Sequence, residues 1–296
     1  MKKIVSLLLT LMMVLSLAAC GTKEEPAATE EPAATEEVAQ EEPAEEAAEV
    51  ETTELIVFAA ASMTETLTEI ADLYKVENPN VELIFNFDSS GTLKTQIQEG
   101  AACDLFISAG QKQMNQLDIT ADPEINTEGL DYVLEETRID ILENKVTLCV
   151  SGTSEAGIET FDDLAAALAE GTILMAMGNS DVPVGQYTQK ILAYYELSEE
   201  ELANAGVISY GSNVKEVTTQ VSEGSVDCGV IYCTDAFSAG LTVTDSATAE
   251  MCGQVIYPAA VLKTSENQEL AKEFLDFLQT DACMEIFEGV GFSRVQ

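Results

Sequence analysis

Small hydroxyl residues stand at several points where an apolar, strand-like run gives way to a helical pattern. That combination is suited to holding an anion. In LIVFAAASMTETLTEIADLY, Leu55 to Tyr74, the run Leu55-Ile56-Val57-Phe58 reads as a buried strand and three alanines follow. Ser62 then stands at an N-cap position with Glu65 three residues on, the Ser-x-x-Glu pattern of a capping box. Behind it Leu67, Ile70, Ala71 and Tyr74 recur at helical spacing. A strand turning through small residues into a capped helix gathers free N–H groups and a positive dipole end at one place. The pattern repeats at Ser90, at the Val184-Gly185 turn, at the Asn213-Val214 turn and, more loosely, from Tyr232 to Asp235. Any one of these turns by itself is usually a mere cap. In an open α/β sheet, however, ligands sit outside the carboxyl ends of the strands, where helix N-termini converge. The set therefore points to an oxyanion site between two lobes.

Composition removes most competing chemistries. The chain has no histidine, so the commonest general base and metal ligand is missing, and Ser-His-Asp or Cys-His catalysis is excluded. No paired carboxylates accompany the serine-rich turns, and the protein is read as a binder rather than an enzyme. Of seven cysteines, Cys20 belongs to an N-terminal signal. The other six (Cys103, Cys149, Cys228, Cys233, Cys252 and Cys283) show no Cys-x-x-Cys spacing for zinc and are expected to be free and mostly buried. A net charge of −40 with only 13 basic residues excludes nucleic acid as a partner. Only two arginines are present, Arg138 and Arg294, which argues against an arginine-clamped site. An anion here must be held by neutral donors at contact range, where distant surface charge, screened beyond roughly 10 Å, matters little.

The elements that must position these groups occupy the C-terminal part of the chain. Lys2 and Lys3 precede an apolar core from Ile4 to Leu17, too short for an ordinary membrane span. The ending Leu17-Ala18-Ala19-Cys20 resembles a bacterial lipobox, so Cys20 is expected to be lipidated and to anchor the mature protein outside the cytoplasmic membrane. Residues 21–54 are rich in Glu, Ala, Pro and Thr, with EEPAATE at Glu24 and again at Glu30, and are expected to form an extended, disordered tether. From Leu55 onward strand-like runs alternate with helical patterns. The expected fold is a two-lobed α/β protein with mostly parallel sheets, residues 55–140 with 260–296 forming one lobe and 141–259 the other. The region from Asp118 to Asn144 reads as polar and less regular. Thr160 caps a helix ending before Gly171, Ser265 opens a long amphipathic helix, and a shorter one runs from Thr280 to Glu288.

Five segments carry a family resemblance: FAAASMTETL, FDSSGTLKTQIQEGAACDLFISAGQKQM, VPVGQYTQKIL, SNVKEV and GVIYCTDA. In this order they resemble the molybdate-binding proteins of ABC importers. The resemblance implies a type II periplasmic-binding-protein fold whose two lobes close on a tetrahedral oxyanion, molybdate or tungstate. Carried over by motif, the ligand would be held by the hydroxyls of Ser62, Ser90 and Tyr232 and by the amides of Val184 and Val214. The resemblance further implies a monomer that hands its ligand to a membrane permease, with no cofactor. Molybdate and tungstate are fully deprotonated near neutral pH, so a pocket of donors suits them and disfavours protonated phosphate. Two features depart from the family pattern. Asp88, just before the serines, would repel a dianion if it faced inward, and strand alternation is read as turning it outward. Gly91 follows Ser90 where a third serine would offer another hydroxyl. Sulfate, phosphate and a non-transport surface role are the alternatives.

Overall fold

The computed structural model describes residues 52–295. The signal segment, Cys20 and the tether through Glu51 lie outside the described residues. Thr53 and Glu54, assigned to the tether by composition, already belong to the first strand.

Strand register is what delivers the serine turns to one place. In the first lobe β1 (Thr53–Ala60), β2 (Val81–Asp88), β3 (Leu105–Ile107), β4 (Ile139–Asn144) and β10 (Val255–Val261) form a sheet in the order β2-β1-β3-β10-β4. β1 runs parallel to β2 with Ala60 opposite Asp88, and parallel to β3 with Ala59 opposite Ile107. The three chains therefore leave the sheet at the same edge, and the segments Ala61-Ser62, Ser89-Ser90 and Ser108-Ala109 emerge side by side. The second lobe holds β5 (Val146–Val150), β6 (Met175–Gly178), β7 (Ile208–Gly211), β8 (Cys228–Tyr232) and β9 (Val243–Ser246) in the order β7-β6-β8-β5-β9. There β6 is parallel to β7 and to β8, with Gly178 opposite Gly211, so those carboxyl ends also share one edge.

Both sheets are mixed, not mostly parallel. β10 lies antiparallel to β3 and β4, and β5 lies antiparallel to β8 and β9. The reason is connectivity: β4 passes directly into β5 across Lys145, and β10 brings the chain back to the first sheet. Residues 140 and 260, where the lobe boundaries were expected, fall inside β4 and β10, whose ladder extends the first sheet to Asn144 and resumes it at Val255. β4 and β9 went unread because their sequences carry too many polar residues for a buried run: IDILEN and VTDS.

Eleven α-helices flank the sheets among the described residues: α1 (Thr64–Glu77), α2 (Ser90–Gln98), α3 (Gln111–Asn115), α4 (Phe161–Glu170), α5 (Pro183–Tyr194), α6 (Glu199–Ala205), α7 (Val214–Ser222), α8 (Cys233–Ser238), α9 (Ala249–Cys252), α10 (Gln268–Phe277) and α11 (Asp281–Val290). None is long and apolar enough to cross a membrane. The amphipathic faces behave as their spacing implies. Leu67, Ile70 and Tyr74 of α1 are buried, and the Tyr74 ring meets Phe274 and Phe277 edge-on at 4.9 and 5.0 Å. Thr160 caps α4 in a full capping box with Asp163, and Gly171 ends it in the left-handed conformation at φ 69°. The last two helices begin slightly later than expected, at Gln268 and Asp281.

Close backbone approach fixes the start of α5. A Cβ on Gly185 would collide with the carbonyl oxygens of Gly178 and Asn179, so only glycine lets the helix seat on the end of β6. Gly185→Ala is expected to destabilise the protein by about 1–3 kcal/mol through overpacking, measured as a lowered urea midpoint at unchanged slope.

Candidate functional site

At the facing sheet edges the two lobes leave a small, tight cavity between them. Ala60, Ala61, Ser62, Asp88, Ser89, Ser90 and Ala109 line it from the first lobe, and Val182, Pro183, Val184, Val214 and Tyr232 from the second. All five of the ligand-binding candidates from the sequence, Ser62, Ser90, Val184, Val214 and Tyr232, are thus brought to one wall-to-wall contact space. Cys20 lies outside the described residues.

Each wall offers donors for a local reason. Ser89 is the N-cap of α2, its hydroxyl accepting the Thr92 amide at 3.1 Å, so Ser90 opens the helix and its amide has no preceding carbonyl to reach. Val182 precedes Pro183 at the start of α5 with no side-chain cap, which leaves the Val184 amide free in the first turn. Asn213 caps α7 by accepting from the Glu216 amide at 3.0 Å, and the Val214 amide is again a first-turn donor. Glu216 completes no box with Asn213; its carboxylate accepts from the Ser212 amide at 2.7 Å. Val184 and Val214 are buried, so their side chains exclude water from the donors they carry.

Ser62 is not a helix cap. Ala61–Met63 forms a 3₁₀ turn, α1 starts at Thr64, and its N-cap Met63 has no capping side chain. The extra turn moves Ser62 off the helix end, and its hydroxyl bonds Tyr257 at 2.8 Å instead. Ser90 Oγ accepts the Ala109 amide at 2.9 Å, which leaves the Ser90 proton for another acceptor. Tyr232 is fully buried, and its hydroxyl has no hydrogen-bond partner among the described residues. Burial pushes the phenols of Tyr232 and Tyr257 well above their ordinary range, so both stay protonated. An unpaired buried hydroxyl costs about 1–3 kcal/mol, and an acceptor in the cavity would recover it.

Asp88 differs from expectation: it lines the cavity. It ends β2, and its Oδ1 accepts from the next amide, Ser89 N–H, at 2.7 Å, which turns the carboxylate along the chain toward the cleft. The same oxygen accepts from Asn213 Nδ2 of the second lobe at 3.3 Å. Further contacts hold the lobes closed. Lys215 reaches Glu65 across the cleft at 2.7 Å, and Gln113 donates to Gln186 at 3.3 Å. Gly91 sits against the Asp181 carbonyl of the other lobe, where any Cβ would collide. Glycine in place of a third serine is the condition for closure.

Behind the site Asp235 is completely buried, and burial pushes its pKa from 3.8 up to about 6 against the pull of Lys215. Lys215 Nζ lies 3.3 Å from Oδ1, an ion-pair distance without hydrogen-bond alignment, since neither carboxylate oxygen is hydrogen-bonded. The six described cysteines are all unpaired thiols, five buried and Cys233 half-buried. No cluster of metal-ligating side chains occurs among the described residues.

Residues 55–293 match the family of bacterial extracellular solute-binding proteins. The chain is 30% identical over 241 residues to YvgL of Bacillus subtilis, assigned as an ABC transporter substrate-binding lipoprotein, covering 81% of this chain and 86% of that one. It is 30% identical over 246 residues to the molybdate-binding protein ModA of Escherichia coli, covering 81% and 88%. Among solved structures it resembles a substrate-binding domain assigned to a molybdenum ABC transporter of Clostridium difficile, with 31% identity, a TM-score of 0.59 and coverage of 83% of this chain and all of that one.

Two outcomes follow from the buried groups. Asp235 is more easily protonated folded than unfolded, so its stabilising contribution is complete below about pH 3.8 and is lost as pH rises through about 6. Asp235→Asn should therefore gain about 3 kcal/mol relative to wild type between pH 4 and pH 7, read from denaturant midpoints across that range. Tyr232→Phe should leave the unliganded protein at least as heat-stable as wild type, because it removes an unpaired buried hydroxyl.

Proposed function

The chain belongs to the bacterial extracellular solute-binding protein family, and from that premise we propose that it captures molybdate or tungstate and delivers it to an ABC permease. The observation that carries this reading is the unpartnered Tyr232 hydroxyl, buried at a cavity that Ser62, Ser90 and the first turns of α5 and α7 also line. Ser62 and Ser90 would donate through their hydroxyls, Val184 and Val214 through their amides, and Tyr232 through its phenol. A dianion with four acceptor oxygens suits such a set. Hydrogen bonds to charged groups contribute about 1.5–3 kcal/mol each, so several together can hold a dianion without a positive side chain. The protein binds and releases, with no cofactor and no turnover. Cys20 would carry a lipid that anchors it, as a monomer, on the outer side of the cytoplasmic membrane, with residues 21–54 as spacer.

Asp88 supports a second reading. A carboxylate at the cavity wall can accept a proton from hydrogen phosphate, so phosphate is the competing ligand. Its engagement with Ser89 N–H and Asn213 favours the deprotonated anion instead. Asp88→Ala separates the two, since it should strengthen molybdate binding and weaken any phosphate binding.

Calorimetric titration with molybdate, repeated in excess sulfate and phosphate, tests the assignment: one-to-one binding that survives both competitors is expected. Ser62→Ala and Ser90→Ala should each weaken that binding roughly 10- to 100-fold, as loss of one charge-assisted bond requires. Gly91→Ala should weaken it further by wedging the lobes apart. Because protein and ligand are both negative, the association rate should rise with salt as the Debye length falls from about 30 Å at 0.01 M to about 8 Å at 0.15 M, which stopped-flow fluorescence can follow.

A further inference from the structure

Ser62 and Ser90 face the cavity with hydroxyls whose direction is set from behind, and the two are set differently. A hydroxyl both donates and accepts, so an unconstrained serine can serve either a bare anion or a protonated one. Ser90 is constrained by the backbone. The Ala109 amide donates to its Oγ, an amide N–H cannot accept, and the Ser90 proton must go elsewhere.

Ser62 is constrained by side chains that begin at the crossover between lobes. Asn144, buried at the end of β4, accepts on its Oδ1 from the Lys145 amide at 2.8 Å and from the Cys233 thiol at 3.2 Å. The amide donor cannot reverse, so the orientation of the Asn144 carboxamide is fixed. Its Nδ2 must then point the other way, where it donates to Thr234 Oγ1 at 3.0 Å and to the Tyr257 hydroxyl at 3.1 Å. Tyr257 is fully buried, and its hydroxyl has two partners among the described residues, Asn144 and Ser62. Asn144 Nδ2 accepts nothing, so the Tyr257 proton can go only to Ser62 Oγ, 2.8 Å away. Reversing that bond would strand a phenolic proton in a dry interior, a cost of about 1–3 kcal/mol. Ser62 therefore accepts from behind and offers its own proton to the cavity.

We infer that Asn144 and Tyr257 are specificity-determining residues, which touch no ligand and hold Ser62 as a donor, so that the site selects fully deprotonated oxyanions over protonated ones. This rests on the oxyanion reading above and adds to it the residues that set the polarity of one wall. With the relay cut, Ser62 is free to turn its lone pair toward a ligand hydroxyl, and hydrogen phosphate gains an acceptor on that wall in addition to Asp88.

The test compares affinities for molybdate and phosphate at about pH 8, where both are dianions and simple repulsion cancels in their ratio. Tyr257→Phe keeps the ring and removes the relay. It should lower molybdate affinity about 10-fold, as loss of one enforced donor implies, and should lower the molybdate-to-phosphate ratio by at least a comparable factor. Asn144→Asp, nearly isosteric, gives Tyr257 an acceptor in place of a donor and should move the ratio in the same direction. Ser62→Ala removes the hydroxyl without creating an acceptor and should weaken molybdate while leaving the ratio nearer that of wild type. A merely structural relay would lower both affinities together and leave the ratio unchanged in both relay variants, and that result overturns the inference. Wild-type protein that binds no oxyanion would instead overturn the functional reading and this inference with it.

Discussion

Holding a dianion in a buried site without a cation demands that several N–H and O–H groups meet at one point with no acceptor competing for them. A single neutral donor cannot offset the desolvation of a double charge. Five or more, fixed before the ligand arrives, can. The strand ends and helix starts at the facing sheet edges fit that demand. Parallel register brings the ends of β1, β2 and β3 level in one lobe and those of β6, β7 and β8 level in the other. Each level end passes into a helix or turn whose first amides have no carbonyl to bond. The antiparallel pair β4 and β10 carries the chain out of and back into the first lobe and places Asn144 and Tyr257 behind the site.

Closure has its own requirements, and they explain residues that look wrong for an anion site. Gly91 gives up a hydroxyl because the Asp181 carbonyl of the other lobe presses on it. Asp88 at the wall has its Oδ1 occupied by Ser89 N–H and by Asn213. Lys215, one of few basic residues, is placed where it joins Glu65 of one lobe to the buried Asp235 of the other rather than facing the cavity. Its charge steadies the closed lobes while the cavity is left to neutral donors.

How much of this was legible in the sequence depended on range. Caps at Thr160 and Asn213 are local and could be read from a few residues, and the cap expected at Ser90 falls one residue earlier, at Ser89. The apolar face of α1 was equally plain. Ser62 was found for a reason that proved wrong: Ser-x-x-Glu spacing suggested a cap, whereas an added 3₁₀ turn frees its hydroxyl for Tyr257. Tyr257 lies 195 positions from Ser62, and Asn144 lies 113 from Tyr257, so no local pattern could have joined them. The inward turn of Asp88 was misread because strand alternation ceases to govern a side chain once the strand ends and the next amide claims its carboxylate. Val184 and Val214 came from the family resemblance, since valine side chains carry no chemistry that would mark them.

A cavity that takes an oxyanion as a bare dianion onto hydrogen-bond donors gains and loses no proton on binding. Calorimetric titration of molybdate in two buffers of very different ionisation enthalpy at neutral pH measures that proton count. Identical heats in both buffers, with one anion per chain, are the predicted result. Heats that differ in proportion to the buffer enthalpies would mean a proton binds with the anion, and a site built only of donors would be contradicted.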